Sequence, residues 1–223
     1  MVVIIHGAGG STCTRRVVTV LKELGVDYEI NVVPWDKIKT PEHLALQPFG
    51  QVPVLEDDGF FLYESRAIAR YLTLKYGKDS TLIPPASDLH AVAKFEAAAS
   101  VELSDFDPFA SGIVFEKVFK LWHGGKTDEA TVESFTAKLD AKLQGGSSNI
   151  NLPAILIRYD RILAKTKFLA GDNVTLADLF HLPYGYMLQE AVKSDILQKY
   201  PNVARWWTEL SARPSWQAVK DLA

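Results

Sequence analysis

The chain has 223 residues, 48% of them hydrophobic and 23% charged, with a net charge of -3 and one cysteine. That balance belongs to an ordinary soluble globular protein with room for one large or two modest domains, and its sign gives nucleic acid no footing. No apolar run is long enough to span a bilayer, the N-terminus lacks the basic region of a signal peptide, and Cys13 alone excludes an intramolecular disulfide or a Cys-rich metal site, so the expectation is a cytoplasmic, reducing compartment with no membrane and no metal.

The first eighty residues alternate strand and helix signals. Val2 to Ile5 is a continuous apolar run, which predicts a strand buried on both faces. Gly7-Ala8-Gly9-Gly10 reads as a loop. Ser11 or Thr12 can cap a helix in which Val17, Val18, Leu21 and Leu24 recur at helical spacing until Gly25 ends it. Tyr28 to Val33 predicts a second strand, and residues 41–46 a short helix. Val54-Leu55 opens a third strand, Asp57-Asp58-Gly59 a tight turn, and Phe60 to Tyr63 a fourth strand. Ser65 then starts a helix with Ile68, Ala69 and Leu72 on one face, ending at Gly77. A βαβ unit followed by a hairpin predicts a mixed four-stranded sheet.

Residues 78–89 are rich in Pro, Ser and Lys and read as a linker. Beyond them the pattern is helical throughout, over 90–122, 128–144, 153–166, 176–190, 203–212 and 214–222. Gly145-Gly146-Ser147-Ser148-Asn149 reads as an exposed loop. Thr175-Leu176-Ala177-Asp178 reads as a capping box with Asp178 buried and structural, and Trp206, Trp207 and Trp216 as packing for the last helices. The expected plan is an α/β domain over 1–77, a linker over 78–89 and an all-α domain over 90–223.

The chemistry concentrates in Gln47-Pro48-Phe49-Gly50-Gln51-Val52-Pro53-Val54-Leu55 and in Tyr63-Glu64-Ser65-Arg66-Ala67-Ile68. Pro53 cannot donate to a sheet ladder, so it belongs at a strand start, and the Val52-Pro53 bond is a candidate cis peptide. Free backbone groups beside a helix N-terminus can grip a small peptide that carries a carboxylate. With Ser11 ahead of Thr14-Arg15-Arg16-Val17, and with Phe168-Leu169-Ala170-Gly171-Asp172-Asn173-Val174-Thr175-Leu176-Ala177-Asp178 downstream, these motifs resemble the soluble glutathione transferases. That family joins a thioredoxin-like α/β domain to an all-α domain. The match covers nearly the whole chain and is most similar to the phi class or a closely related fungal class.

The resemblance implies a transferase that conjugates glutathione, its co-substrate, to hydrophobic electrophiles, with glutathione peroxidase activity beside it and no metal. Ser11 would donate its hydroxyl hydrogen to the glutathione sulfur at the start of the first helix; read without the resemblance, Ser11 is a helix N-cap. Glu64 would hold the γ-glutamyl ammonium and Ser65 the carboxylate; by themselves the pair also reads as a helix start. Val52, beside Pro53, would pair its main chain with the cysteinyl unit, Gln51 would reach the γ-glutamyl end, and Lys39 would meet the glycine carboxylate or remain a solvated loop lysine. Ile38 stands where the phi class often has histidine, which removes one polar contact, and His43 reads as a surface residue. The implied pocket for the hydrophobic small molecule takes Gly10 and Ile38 from the loops and Phe106, Phe109 and Ile113 from the long helix, a stretch that also carries Phe115 and Phe119. Cys13 is open between a reactive thiol at a helix start and a small residue turned to the core. The segment 144–153 looks inserted relative to the phi class and reads as a surface loop. Family members are usually homodimers. Two other readings stay open: a ligandin that binds aromatic molecules with weak catalysis, and a thiol-disulfide exchanger that uses Cys13.

Overall fold

The computed structural model describes residues 2–144 and 158–222. The loop expected at 145–149, nearly all of the 144–153 insertion and the start of the helix predicted over 153–166 lie outside them. The chain divides into two units, Met1–Ile83 with Arg213–Ala223, and Pro84–Ala212.

The first unit runs β1 (Val3–Gly7), α1 (Thr12–Leu24), β2 (Tyr28–Val32), α2 (Pro41–Leu46), β3 (Val54–Asp57), β4 (Phe60–Tyr63) and α3 (Ser65–Tyr76). The sheet order is β2-β1-β3-β4; β2 is parallel to β1 and the other pairs are antiparallel, as the order of elements predicts. Val3 and Ile5 of β1 join Leu55 against Val17 and Leu21 of α1 and Ile68 and Leu72 of α3 in one apolar core. Each such side chain contributes roughly 1.5–3 kcal/mol by leaving water. The other face of β1 is only half-covered. Ile4 and His6 lie there, and His6 sits between Asn31 (2.9 Å) and Glu56 (2.8 Å), so the expectation of a strand buried on both faces is corrected.

Asp58 (φ 54°) and Gly59 (φ 77°) form the tight turn of the β3–β4 hairpin, where two positive φ angles match the twist of the strands. Asp57 ties that hairpin to α3. Its buried carboxylate accepts from Lys75 Nζ (2.7 Å), Tyr71 Oη (2.9 Å) and Tyr76 Oη (2.8 Å). Burial pushes this carboxyl up, and the three donors outweigh burial and hold it below its ordinary value.

The second unit is helical: α4 (Leu89–Val101), α5 (Asp107–Val114), α6 (Lys120–Trp122), α7 (Glu129–Leu143), α8 (Tyr159–Leu163), α9 (Leu176–Leu179), α10 (Leu182–Glu190) and α11 (Pro201–Ser211). The helix predicted over 90–122 is broken twice by a wider π turn, at Glu102–Phe106 and Phe115–Phe119. The helix predicted over 176–190 divides between α9 and α10, because Pro183 has no N–H for the carbonyl four residues back. Asp178 is fully buried. It completes the capping box by accepting from the Thr175 N–H (2.9 Å), and it also takes Leu169 N–H (3.0 Å) and Trp206 Nε1–H (2.9 Å). His181 donates from Nδ1 to the Ala177 carbonyl (2.9 Å) and accepts at Nε2 from Tyr159 Oη (2.9 Å); burial lowers its pKa, so a neutral ring fills this site. Trp206 and Trp207 pack this unit, as expected.

The last segment departs from the expected domain limits. Residues 213–223 belong to the first unit, where Trp216 is buried on the final helix, α12 (Pro214–Gln217), which is shorter than predicted. Arg213 grips Glu23 of α1 with two bonds (2.6 and 2.7 Å), the Ser215 hydroxyl donates to the same carboxylate, and Arg15 holds the Leu222 carbonyl (2.9 Å). Burial raises the Glu23 carboxyl; the bonds from Arg213 and Ser215 overcome this and leave it below its ordinary value of 4.5. Arg213→Ala leaves the carboxylate with the Ser215 hydroxyl and no countercharge, and urea unfolding at neutral pH is expected to show a loss of about 1–3 kcal/mol. Because the folded-state value is depressed, the pair stabilises above 4.5, and the difference between wild type and variant should shrink as pH falls below it.

Candidate active site

Strand directions assemble the site. β1 and β2 run together, so Gly7 and Val32 end at the same edge of the sheet, where they pair. β3 runs against β1 and β4 against β3, so Val54 at the start of β3 pairs with both His6 and Tyr63 near that edge. The loop after β1 carries Gly10 and Ser11, and the loop after β2 carries Ile38 and Lys39. The stretch before β3 carries Gln51, Val52 and Pro53, and the junction after β4 carries Glu64 and Ser65. All four segments leave the sheet at one end.

Ser11 is 9% exposed and caps α1, its Oγ accepting from the Thr14 N–H (3.2 Å) while its own N–H bonds Ala8 O (2.9 Å). An accepted bond occupies a lone pair and leaves the hydroxyl hydrogen to donate elsewhere, so the N-cap role and a donor role are compatible. The loop is fixed from below: Thr14 Oγ1 takes the Ala8 N–H (3.3 Å), and a Cβ at Gly7 would stand 2.8 Å from Thr14. Only glycine allows that approach.

Ser65 opens α3 and is buried. Its Oγ accepts from Arg16 Nη1 at 2.9 Å, and the same nitrogen lies 3.5 Å from Cys13 Sγ. Arg16 is 1% exposed, a cation sealed behind a helix N-terminus. Because Arg16 supplies that hydrogen, the Ser65 hydroxyl keeps its own for an outside acceptor. In the sequence Arg16 stands only as part of the Thr14-Arg15-Arg16-Val17 motif; the signal for its burial is a charge set beside Val17, Val18 and Leu21 on the helix. Cys13 is half-buried. Glu64 is exposed with φ 71° and ψ 104°, a positive-φ conformation that costs a non-glycine residue roughly 1–3 kcal/mol.

Val52 is buried, follows Gln51 and precedes a cis bond to Pro53. The ladder starts only at Val54, so the Val52 main chain lies outside it. The Gln51 carbonyl accepts from His43 Nε2 (2.7 Å). His43 is 7% exposed, which corrects its reading as a surface residue: a short amphipathic helix turns it inward to hold the strand entry. Lys39 is exposed and donates to the Phe49 carbonyl (2.6 Å). Gly50 has φ 59°, and a Cβ there would meet Ile38 O at 2.6 Å and Lys39 Nζ at 2.8 Å, so this glycine lets the two loops close on each other. Ile38 is half-buried; Gly10 is exposed and open.

The helical residues proposed from sequence divide. Phe106 (1% exposed) packs at a tilt against His181 with ring centres 4.5 Å apart, and Ile113 is 2% exposed. Both are sealed in the core of the helical unit, which corrects their assignment to a binding surface. Phe109 is half-buried beside Phe135. Among the described residues no cluster of three or more His, Cys, Asp or Glu side chains is placed to hold a metal ion, and no helix is long and apolar enough to cross a membrane.

A thioredoxin-like four-stranded sheet with four loop segments at one end, followed by a helical unit, is the architecture of the glutathione transferase class. Comparison with known proteins gives the family. The glutathione S-transferase N-terminal domain matches residues 10–74, and the glutathione S-transferase C-terminal domain matches residues 149–214. The chain is 47% identical over 209 residues to glutathione S-transferase PM239X14 of Arabidopsis thaliana, covering 91% of this chain and 88% of that protein. It is 40% identical over 220 residues to glutathione S-transferase hmp2 of Hypomyces subiculosus, covering 97% and 96%. Among solved structures, glutathione S-transferase I from maize in complex with an atrazine glutathione conjugate aligns with a TM-score of 0.87 at 33% identity, over 100% of this chain and 98% of that one. The chain belongs to the glutathione S-transferase family, with phi-class relatives, and is a glutathione transferase.

His43→Phe keeps a buried ring and removes the donor to Gln51. The expected result is a loss of about 1 kcal/mol in denaturant unfolding, because a part-buried hydrogen bond between α2 and the strand entry is lost.

Proposed function

We propose that this transferase uses Ser11 to hold bound glutathione as its thiolate and adds that sulfur to hydrophobic electrophiles. The observation that carries the reading is the common sheet edge from which Ser11, Val52, Glu64 and Ser65 all emerge. A free cysteine thiol has pKa about 8.5, so little thiolate exists at neutral pH. The Ser11 hydroxyl donates to sulfur, and the N-terminus of α1 adds positive partial charge. The anion attacks the electrophilic carbon, and a leaving group departs with its electron pair.

The tripeptide is held from its two ends. Its γ-glutamyl carboxylate meets Ser65 and the first N–H groups of α3, with the buried Arg16 behind them. Glu64 faces the ammonium, Gln51 supports the same end, and Lys39 takes the glycine carboxylate by leaving the Phe49 carbonyl. The Val52 main chain pairs with the cysteinyl unit as an added strand would.

For the acceptor we assign the exposed aromatic surface of the helical unit. Phe115 is 51% exposed and Trp122 69%, and the Phe119 ring lies tilted against Trp122 at 5.3 Å between centres. Exposed aromatic groups of this kind serve apolar partners better than the sealed Phe106 and Ile113. Glutathione peroxidase activity, a homodimer and a cytoplasmic location follow the same family reading; the exposed Phe49, edge-on to Tyr63, is the kind of apolar surface a second subunit would cover.

Ser11→Ala is expected to lower kcat/KM with an aryl halide by about 10–100-fold and to move the pH–rate midpoint toward that of free thiol, while Cys13→Ser leaves both in place. The opposite pattern, with loss at Cys13 and none at Ser11, supports disulfide exchange instead. Arg16→Met is expected to weaken glutathione binding by about tenfold in calorimetry, through loss of the buried donor to Ser65.

A further inference from the structure

The second π turn is clamped by the loop that follows it. Within Phe115–Phe119 the Lys120 N–H bonds the Phe115 carbonyl, five residues back, in place of the Glu116 carbonyl four residues back. That register releases the Glu116 carbonyl, and Thr127 Oγ1 donates to it at 3.0 Å. The Glu116 carboxylate meets the same loop, accepting from the Asp128 N–H (2.8 Å), and also accepts from Lys120 Nζ (2.8 and 3.0 Å). Gly125 lies on the same turn: its N–H bonds the Lys120 carbonyl (2.9 Å), and a Cβ there would meet Lys120 Cγ at 2.8 Å. Glu116 is 7% exposed, yet Phe115 beside it is 51% exposed. An α-helical register here would return the Glu116 carbonyl to the Lys120 N–H, so that Thr127 would share this acceptor, and turn Phe119 to a different angle from Phe115.

We infer that Thr127 and Glu116 are positioning residues for acceptor specificity: they lock the π turn and thereby set the angle between Phe115 and Phe119. The inference rests on the assignment of the acceptor to that aromatic surface. Thr127 and Glu116 belong to the helical unit and the residues assigned to glutathione to the first unit, so the KM for glutathione serves as the control. A locked turn selects among acceptors by shape, because the aromatic groups cannot swing to follow a bulkier molecule.

The test compares an aryl halide with a bulkier aralkyl isothiocyanate. Thr127→Val keeps the volume and removes the hydroxyl. It is expected to change the ratio of kcat/KM between the two acceptors by about fivefold or more, with the KM for glutathione held within about twofold. Thr127→Ser, which restores the donor, is expected to return the wild-type ratio. Circular dichroism melts establish that each variant is folded; if Thr127→Val does not fold, Glu116→Gln, which weakens the Lys120 bond, carries the same comparison. An unchanged ratio in the folded variant, or a ratio that Thr127→Ser fails to restore, overturns the inference. Phe115→Ala separates this from the acceptor assignment. If it raises the acceptor KM while Thr127→Val leaves the ratio alone, the clamp is wrong and the assignment stands; if it leaves every acceptor KM unchanged, both fall.

Discussion

The position of β1 between a parallel and an antiparallel neighbour governs the rest of the first unit. A parallel pair sends two C-terminal ends to one edge, and the antiparallel hairpin then returns there twice, once at the start of β3 and once at the end of β4. Every polar group needed for a peptide ligand can therefore come from a loop at that edge, while the α1 and α3 helices start there and turn their N-termini to it. The core of Val3, Ile5, Val17, Leu21, Leu55, Ile68 and Leu72 keeps these origins fixed relative to one another. A loop site on such a base needs little of its own apolar burial.

Fixing the loops is a separate matter, and small, specific contacts achieve it. Thr14 closes on Gly7 to set the turn that presents Ser11. Gly50 admits Ile38 and Lys39, His43 holds Gln51, and Asp57 ties the hairpin that delivers Glu64 to the body of α3. The buried Arg16 spends a donor on Ser65, which makes a serine at a helix start into an oriented donor. In the second unit buried polar groups do similar work: Asp178 and His181 have their capacity filled by backbone, tyrosine and tryptophan partners. Preorganisation of this kind reduces the cost of ordering groups at the moment of binding.

The sheet and its topology were legible because each element rests on a local signal: apolar runs, Asp-Asp-Gly at a hairpin, Pro53 at a strand start, Ser65 at a helix start; glutathione itself came from the resemblance that these motifs carry. What the sequence concealed depends on partners far along the chain. His43 has no local reason to be buried, since its acceptor is the Gln51 carbonyl on the far side of a loop. Arg16 looks solvated until Ser65 arrives beside it. Phe106 and Ile113 came from the resemblance, which sets the acceptor pocket against the long helix without saying which of its apolar residues face outward; both are buried in the helical unit, Phe106 against His181. The final segment was counted with the helical domain because its period is helical, whereas Arg213 and Ser215 bind it to Glu23 in the other unit.

The claim at the centre is that the sulfur of bound glutathione is an anion at neutral pH because a hydroxyl and a helix N-terminus stabilise it. Ultraviolet difference titration of thiolate absorbance in the binary complex measures this directly. The account predicts a midpoint at least one unit below that of free glutathione, equivalent to about 1.4 kcal/mol in favour of the charged form. A bound thiol that titrates where the free one does would contradict it.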